Sequence, residues 1–290
     1  MAEVLKGAPV AAALSETLAE RVGRLNYRGI VPTLAIVRVG ARSADVSYER
    51  GAMKRCGEIG VAVKRFSLSQ DCTKEELLEV IRTINTDPGI HGCLMFRPTL
   101  DQETEQAACA LLDPAKDVDC VTRSALGDVF MGKRDCFPPC TAQACLELLD
   151  YYGYGVKSAR VTVIGASLVI GKPVGVMLLD RCATLTMCHI DTIDPASHCR
   201  GAEILISAAG CAGLVTRDYV APGQVVLDVG INRRADGTLC GDVRFDEVEP
   251  IVGAITPVPG GVGTVTSAVL AKHVVEAAER TLGPDACADP

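Results

Sequence analysis

An α/β protein of two domains, each built on a parallel sheet, is the fold this sequence predicts. Three observations carry the expectation. Apolar strand-like runs alternate with helical periodicities through the first 114 residues. The alternation restarts after a connecting helix at 138–153. The second block opens on a strand–glycine–helix stretch, RVTVIGASLVIGKPVG (160–175). Alternation of this βαβα kind gives parallel strands, because parallel neighbours need a crossover.

The elements follow in order. Val10, Leu14, Leu18 and Val22 share one face of a helix over 8–24. TLAIVRVG (33–40) is a strand closed by glycine, and 45–59 is a helix ended by Gly60. VAVKRFSL (61–68) is the next strand. TKEELLEVIRTINTD (73–87) is a helix with Thr73 as N-cap and acidic residues in its first turn. GCLMF (92–96) is a strand and TEQAACALLDP (104–114) a helix. Past the connecting helix, strands at 160–164, 183–188, 203–207, 225–229 and 252–255 alternate with helices, the pattern of a doubly wound nucleotide domain. A final helix, 264–281, follows TPVPGGVG.

Composition narrows the function. The 290 residues suit one large or two ordinary domains, and 48% hydrophobic content permits a sizeable core. A net charge of −7 argues against nucleic acid or an anionic membrane as partner. No apolar run is long enough to span a bilayer. Glu3, Glu16 and Glu20 break any signal-peptide pattern, so a cytoplasmic protein is expected. Fourteen cysteines are many, but no CxxC pair exists. The tightest group, CFPPCTAQAC with Cys136, Cys140 and Cys145, lacks metal-site spacing. No metal is expected, and the cysteines read as small buried hydrophobes kept reduced.

Two loops carry chemistry. After the strand at 160–164, Gly165 permits a tight turn, Ser167 offers a hydroxyl and an N–H, and a helix starts near Gly171–Pro173. Such a helix aims its positive end at an anion. The glycine spacing is unusual, because the common dinucleotide fingerprint would place a glycine at Ser167. In PVPGGVG (257–263), two prolines stiffen the approach and three glycines bare backbone amides.

KDVDC (116–120), PPCTAQACLELL (138–149), VIGASLVIGKPVGVMLL (163–179), LISAAG (205–210), VVLDVGINR (225–233), GDV (241–243) and ITPVPGGVGTVT (255–266) together resemble one family. It is that of the methylenetetrahydrofolate dehydrogenase/methenyltetrahydrofolate cyclohydrolase proteins. The resemblance covers nearly the whole chain. It implies two α/β domains forming a cleft: an N-terminal folate-binding catalytic domain (1–140 with 268–290) and a doubly wound Rossmann-type nicotinamide domain (141–267). It also implies a homodimer and NAD or NADP as cofactor. Thr141, Gly165, Ala166, Ser167, Gly171, Asp191, Ile231 and Thr266 fall at its cofactor positions. Pro259, Gly260 and Gly261 fall at its substrate loop. Tyr48 matches the family's substrate-stacking tyrosine, and Asp119 matches the aspartate that accepts from the pterin amide and amino group.

Three positions depart from the pattern. The family lysine, four residues past the tyrosine, is Ala52, and the strand-end glutamine is Phe96. Asp45 replaces a serine three residues before Tyr48. Hydride transfer needs two flat molecules held face to face. Ring hydrolysis needs positioned proton transfer, whose loss costs roughly 10²–10⁴-fold. The sequence therefore reads as a dehydrogenase whose cyclohydrolase step is weak or lost. Two alternatives stand: a bifunctional enzyme in which Arg97, Lys54 or another group substitutes, and a non-catalytic folate- or nucleotide-binding regulator. NAD is favoured over NADP. Ile190 follows His189, and Asp191 and Asp194 lie where a carboxylate pairs with a free ribose 2′-hydroxyl and repels a phosphate. Lys172 and Arg181 are near in sequence but not clearly aimed at the ribose.

Overall fold

The computed structural model describes residues 1–133 and 135–283. In chain order the elements are β1 (Glu3–Val4), α1 (Gly7–Tyr27), β2 (Thr33–Val39), α2 (Ser43–Ile59), β3 (Ala62–Leu68), α3 (Lys74–Thr86) and β4 (Gly92–Met95). Next come α4 (Gln102–Leu111), α5 (Arg123–Phe130), α6 (Cys140–Tyr151), β5 (Arg160–Ile164), α7 (Gly171–Asp180), β6 (Thr184–Cys188), α8 (Pro195–Arg200) and β7 (Ile204–Ser207). The chain ends with β8 (Val225–Asp228), β9 (Asn232–Arg233), β10 (Leu239–Cys240), α9 (Phe245–Val248), β11 (Ala254–Ile255) and α10 (Val262–Arg280).

The described residues form two compact units: 1–11, 129–133 and 141–266 in one, and 12–128, 135–140 and 267–283 in the other. The second unit holds a parallel sheet in the order β3–β2–β4. Its middle strand is rich in Val and Ile and almost wholly buried, as a strand flanked on both sides should be. Val37 and Val39 pack with Leu77, Ile81 and Ile84 of α3 and with Ala108. α3 starts where the sequence predicts. The Thr73 hydroxyl accepts from the Glu76 N–H at 3.2 Å and Glu76 accepts from the Thr73 N–H at 2.7 Å, a reciprocal cap. Gly92 brings β4 against the segment before Asp119, since a Cβ there would stand 2.7 Å from Val118.

The first unit holds a six-stranded sheet in the order β1–β11–β8–β7–β5–β6, every pairing parallel. The chain leaves β5 for β6 on one side and then crosses to β7 on the other. The ends of β5 and β7 therefore flank a reversal of strand order, where open α/β sheets bind ligands. The expected division placed residues 1–140 in one domain, whereas 1–11 and 129–133 join the six-stranded unit; for the first segment, the Glu3 and Leu5 N–H groups bond to Gly253 and Ile255 carbonyls at 2.8 Å. A two-residue strand carries no periodicity, so β1 was not legible. The same holds for the short α8 and α9 and for the β9–β10 hairpin. Residues 284–290 of the expected folate domain lie outside the described residues. Among the described residues no helix is long and apolar enough to cross a membrane.

Candidate functional site

The turn after β5 explains the odd glycine spacing. Gly165 adopts φ 104°, and a Cβ there would overlap the Ala208 carbonyl at the end of β7. A Cβ on Gly171 would overlap the Gly165 carbonyl. Both glycines are thus demanded by backbone packing, one at each end of the turn. Between them the Ser167 hydroxyl accepts from the Ile170 N–H at 3.2 Å, and the Ser167 carbonyl accepts from Lys172 at 3.0 Å. Ala166 is half-buried and Ser167 exposed, and no side chain caps α7 at Ile170. An uncapped helix start beside a bared turn suits a pyrophosphate.

The end of β6 lies beside this turn, because the Gly165 N–H bonds to the Cys188 carbonyl at 2.8 Å. Beyond it His189–Thr192 close a small loop, with the His189 N–H donating to Thr192 Oγ1 at 2.8 Å and the Asp191 N–H to His189 Nδ1 at 3.2 Å. Asp194 is committed to capping α8, accepting from the Ser197 N–H at 3.3 Å. Asp191 is exposed, and no arginine occupies this loop. Arg181 pairs with Asp150 at 2.7 Å, away from the loop. Ile231 is exposed and its Cδ1 lies 3.7 Å from where a Gly263 Cβ would stand. Thr266 is buried and Thr141 half-buried. In the 257–263 loop, Pro259 and Gly260 are exposed and Gly260 has φ 106°. Gly261 is buried, with a Cβ only 2.6 Å from the Pro257 carbonyl, so its need for glycine is one of packing.

In the other unit, Tyr48 on α2 and Phe96 at the end of β4 meet edge to face, with ring centroids 5.8 Å apart. Ala52 stands one turn after Tyr48 and is buried at 1% exposure. Asp117 and Asp119 have different tasks. Asp117 is wholly buried and accepts from the Val121 and Thr122 N–H groups at 2.9 and 2.8 Å. Asp119 accepts from the Cys140 N–H at 3.2 Å. Burial pushes the Asp119 carboxyl above its ordinary range, against the pull of Cys140, and Asp117 adds to the rise. Burial, then the Asp119 charge, holds the Tyr48 hydroxyl well above its ordinary value. Tyr48, Phe96 and Asp119 therefore form one patch. Cys120, just after Asp119, takes φ 57°.

The substitute groups are placed less well. Lys54 is largely exposed and 3.9 Å from Glu58, and Arg55 pairs with Glu58 and Ser15. The Arg97 charge offsets only part of the burial-driven rise of the Asp119 carboxyl. A guanidinium stays protonated, so it can orient but not shuttle a proton. Burial raises the Cys56 and Cys145 thiols to about 12, which leaves them inert. No group of three or more metal-ligating side chains exists among the described residues. Sequence reading passed over Asp228 and Asp242. Both are buried carboxylates, Asp228 as the last residue of β8 and Asp242 just after Gly241, and each is closely approached by a glycine.

Two family models match the chain. The tetrahydrofolate dehydrogenase/cyclohydrolase catalytic domain covers residues 5–119, and the NAD(P)-binding domain of the same family covers 139–282. A bifunctional protein FolD of Carboxydothermus hydrogenoformans is 49% identical over 96% of this chain and 98% of its own. The FolD of Clostridioides difficile is 46% identical over 95% and 96%. The crystal structure of the bifunctional FolD of Campylobacter jejuni superposes with TM-score 0.93 at 36% identity, covering 97% of this chain and all of that one. A Trypanosoma brucei FolD, solved with NADP and an inhibitor, gives TM-score 0.91 at 32% identity over 97% and 99%.

Proposed function

This chain belongs to the tetrahydrofolate dehydrogenase/cyclohydrolase family, and from that premise we propose that it oxidises 5,10-methylenetetrahydrofolate to the methenyl form with NAD and that its hydrolysis of the product is weak or lost. The observation that carries the second half is the buried Ala52 and the Phe96 ring seated against Tyr48. The places of the family's lysine and glutamine are filled by apolar groups.

A nicotinamide dinucleotide, when bound, supplies the hydride acceptor. The Gly165–Gly171 turn and the start of α7 would hold its pyrophosphate, with Ser167 and Ala166 along the turn, and Asp191 would meet its adenosine ribose. Thr141, Ile231 and Thr266 are assigned to the same site by family position. On the substrate side, the Tyr48 ring stacks on the folate and its hydroxyl stays neutral. Asp119 accepts from the pterin's N–H edge, where its partial desolvation strengthens each bond. Pro259, Gly260 and Gly261 belong to the substrate loop in this reading. The substrate's own nitrogen lone pair stabilises the cation formed on oxidation, so this step asks the protein only for orientation. Opening the methenyl ring asks for an activated water and a proton carrier. Neither neutral Tyr48 nor Arg97 supplies one. The homodimer and the cytoplasmic setting are part of the same proposal.

Arg97 favours one competing reading, in which its charge beside Asp119 orients a water and leaves some hydrolysis. The dehydrogenase reading is tested by assaying the protein with methylenetetrahydrofolate and each nicotinamide. Turnover with NAD is expected, at a kcat/KM at least about tenfold above that with NADP. Asp191→Ser should narrow the ratio. No oxidation with either cofactor would sink the proposal, a clear NADP advantage would reverse the cofactor preference, and an unchanged ratio in Asp191→Ser would exclude that residue as the discriminator.

A further inference from the structure

Asp242 follows the β9–β10 hairpin and is wholly buried. Its carboxylate accepts five hydrogen bonds. Oδ2 takes the Ser207 hydroxyl at 3.1 Å and the Ala209 and Gly210 N–H groups at 2.8 and 3.1 Å. Oδ1 takes the Cys211 N–H and Asn232 Nδ2, both at 2.9 Å. Asp228, at the end of β8, holds Asp242 in turn. It accepts from the Asp242, Val243 and Gly230 N–H groups at 3.0, 2.9 and 3.0 Å. The Asp228 N–H donates to Thr256 Oγ1 at 2.8 Å. Two glycines make room, since a Cβ on Gly230 would overlap the Asp242 carboxylate and one on Gly241 would overlap that of Asp228.

Two neighbouring buried carboxylates are an expensive way to brace a loop. Burial, with Asp242's charge adding to it, pushes the Asp228 carboxyl up to about 6 despite its backbone donors. What the pair braces explains its presence. The 208–211 segment leaves β7 and abuts Gly165, and the 230–232 segment leaves β8 and carries exposed Ile231. The first stands at the reversal of strand order between β5 and β7, and the second leaves β8, the strand next to β7, with Ile231 assigned to the cofactor by family position.

We propose that Asp242 is a positioning residue for the dinucleotide: it fixes the 208–211 and 230–232 segments in a single geometry, so that the Gly165 turn and Ile231 are preset before the cofactor arrives. This rests on the dinucleotide site proposed above. Asp242 need not touch the cofactor. Replacing one of its oxygens by an amide nitrogen turns an N–H toward donors at one end, which frees at least one segment.

The test is Asp242→Asn in the full chain, read by NADH titration, steady-state kinetics and thermal melting. The NADH Kd and the KM for NAD should rise roughly tenfold or more, while the KM for methylenetetrahydrofolate stays within about twofold. Both constants unchanged, or both KM values rising together, would overturn the inference. Should Asp242→Asn fail to fold, Asn232→Ala decides by the same split, since it removes one donor and releases only the 230–232 segment. A wild-type protein that binds neither NADH nor NADPH would instead refute the dinucleotide reading, and this inference with it.

Discussion

Ala52→Lys combined with Phe96→Gln is expected to raise hydrolysis of methenyltetrahydrofolate on the order of 10²-fold over the wild-type protein. Position 52 lies one helical turn from Tyr48 on the buried face of α2. A lysine there is desolvated, which favours its neutral form and draws its pKa down toward the working range. It then has the means to exchange a proton with substrate or water. Glutamine at 96 replaces a ring that offers Tyr48 only an edge with a group that both donates and accepts. Either substitution alone restores half of a pair and should do little. The readout is loss of methenyl absorbance against buffer and wild type. A double variant that folds, oxidises methylenetetrahydrofolate normally and still hydrolyses at the buffer rate would show that the two positions do not control the step.

Asp119→Ala should lower kcat/KM for the folate by roughly 10- to 150-fold, the effect of losing a charge-assisted bond of about 1.5–3 kcal/mol. The KM for NAD should stay within about twofold. Among the described residues the backbone donor to Asp119 is Cys140, so the loss of Asp119 leaves the Asp117 braces of the 117–122 segment intact. Unchanged folate kinetics would refute the assignment. A drop in melting temperature with equal losses for both substrates would recast Asp119 as a structural residue.

Local signals made most of the fold legible. α3 announced itself through the Thr73 cap and its acidic first turn, and the buried strands through unbroken Val, Ile and Leu runs. β1 was not legible because two residues have no period; only pairing with β11 makes them a strand. At the site, Tyr48, Ala52 and Phe96 are singled out by resemblance to the family's motifs; helical spacing accounts only for Tyr48 and Ala52 sharing a face, and the fold alone brings Phe96 against Tyr48. The roles of the glycines could not. Gly171 and Gly261 match family binding positions, yet each is also required by a carbonyl that passes too close for a side chain. Asp228 and Asp242 escaped notice for a related reason. Their meaning lies in backbone N–H groups brought to them from the segment after β7 and from the residues that flank the β9–β10 hairpin, and no motif records such a meeting.

Whether oxidation is kept while hydrolysis is weak or lost is read most directly from the stoichiometry of the first minutes of reaction. Protein, methylenetetrahydrofolate and NAD are mixed at a pH where methenyltetrahydrofolate hydrolyses slowly by itself, and NADH and methenyl product are followed together. One methenyl product per NADH is expected, with later decay at or only slightly above the rate seen in buffer alone. A methenyl signal that lags NADH, with the formyl product appearing well above the buffer rate, would contradict that expectation.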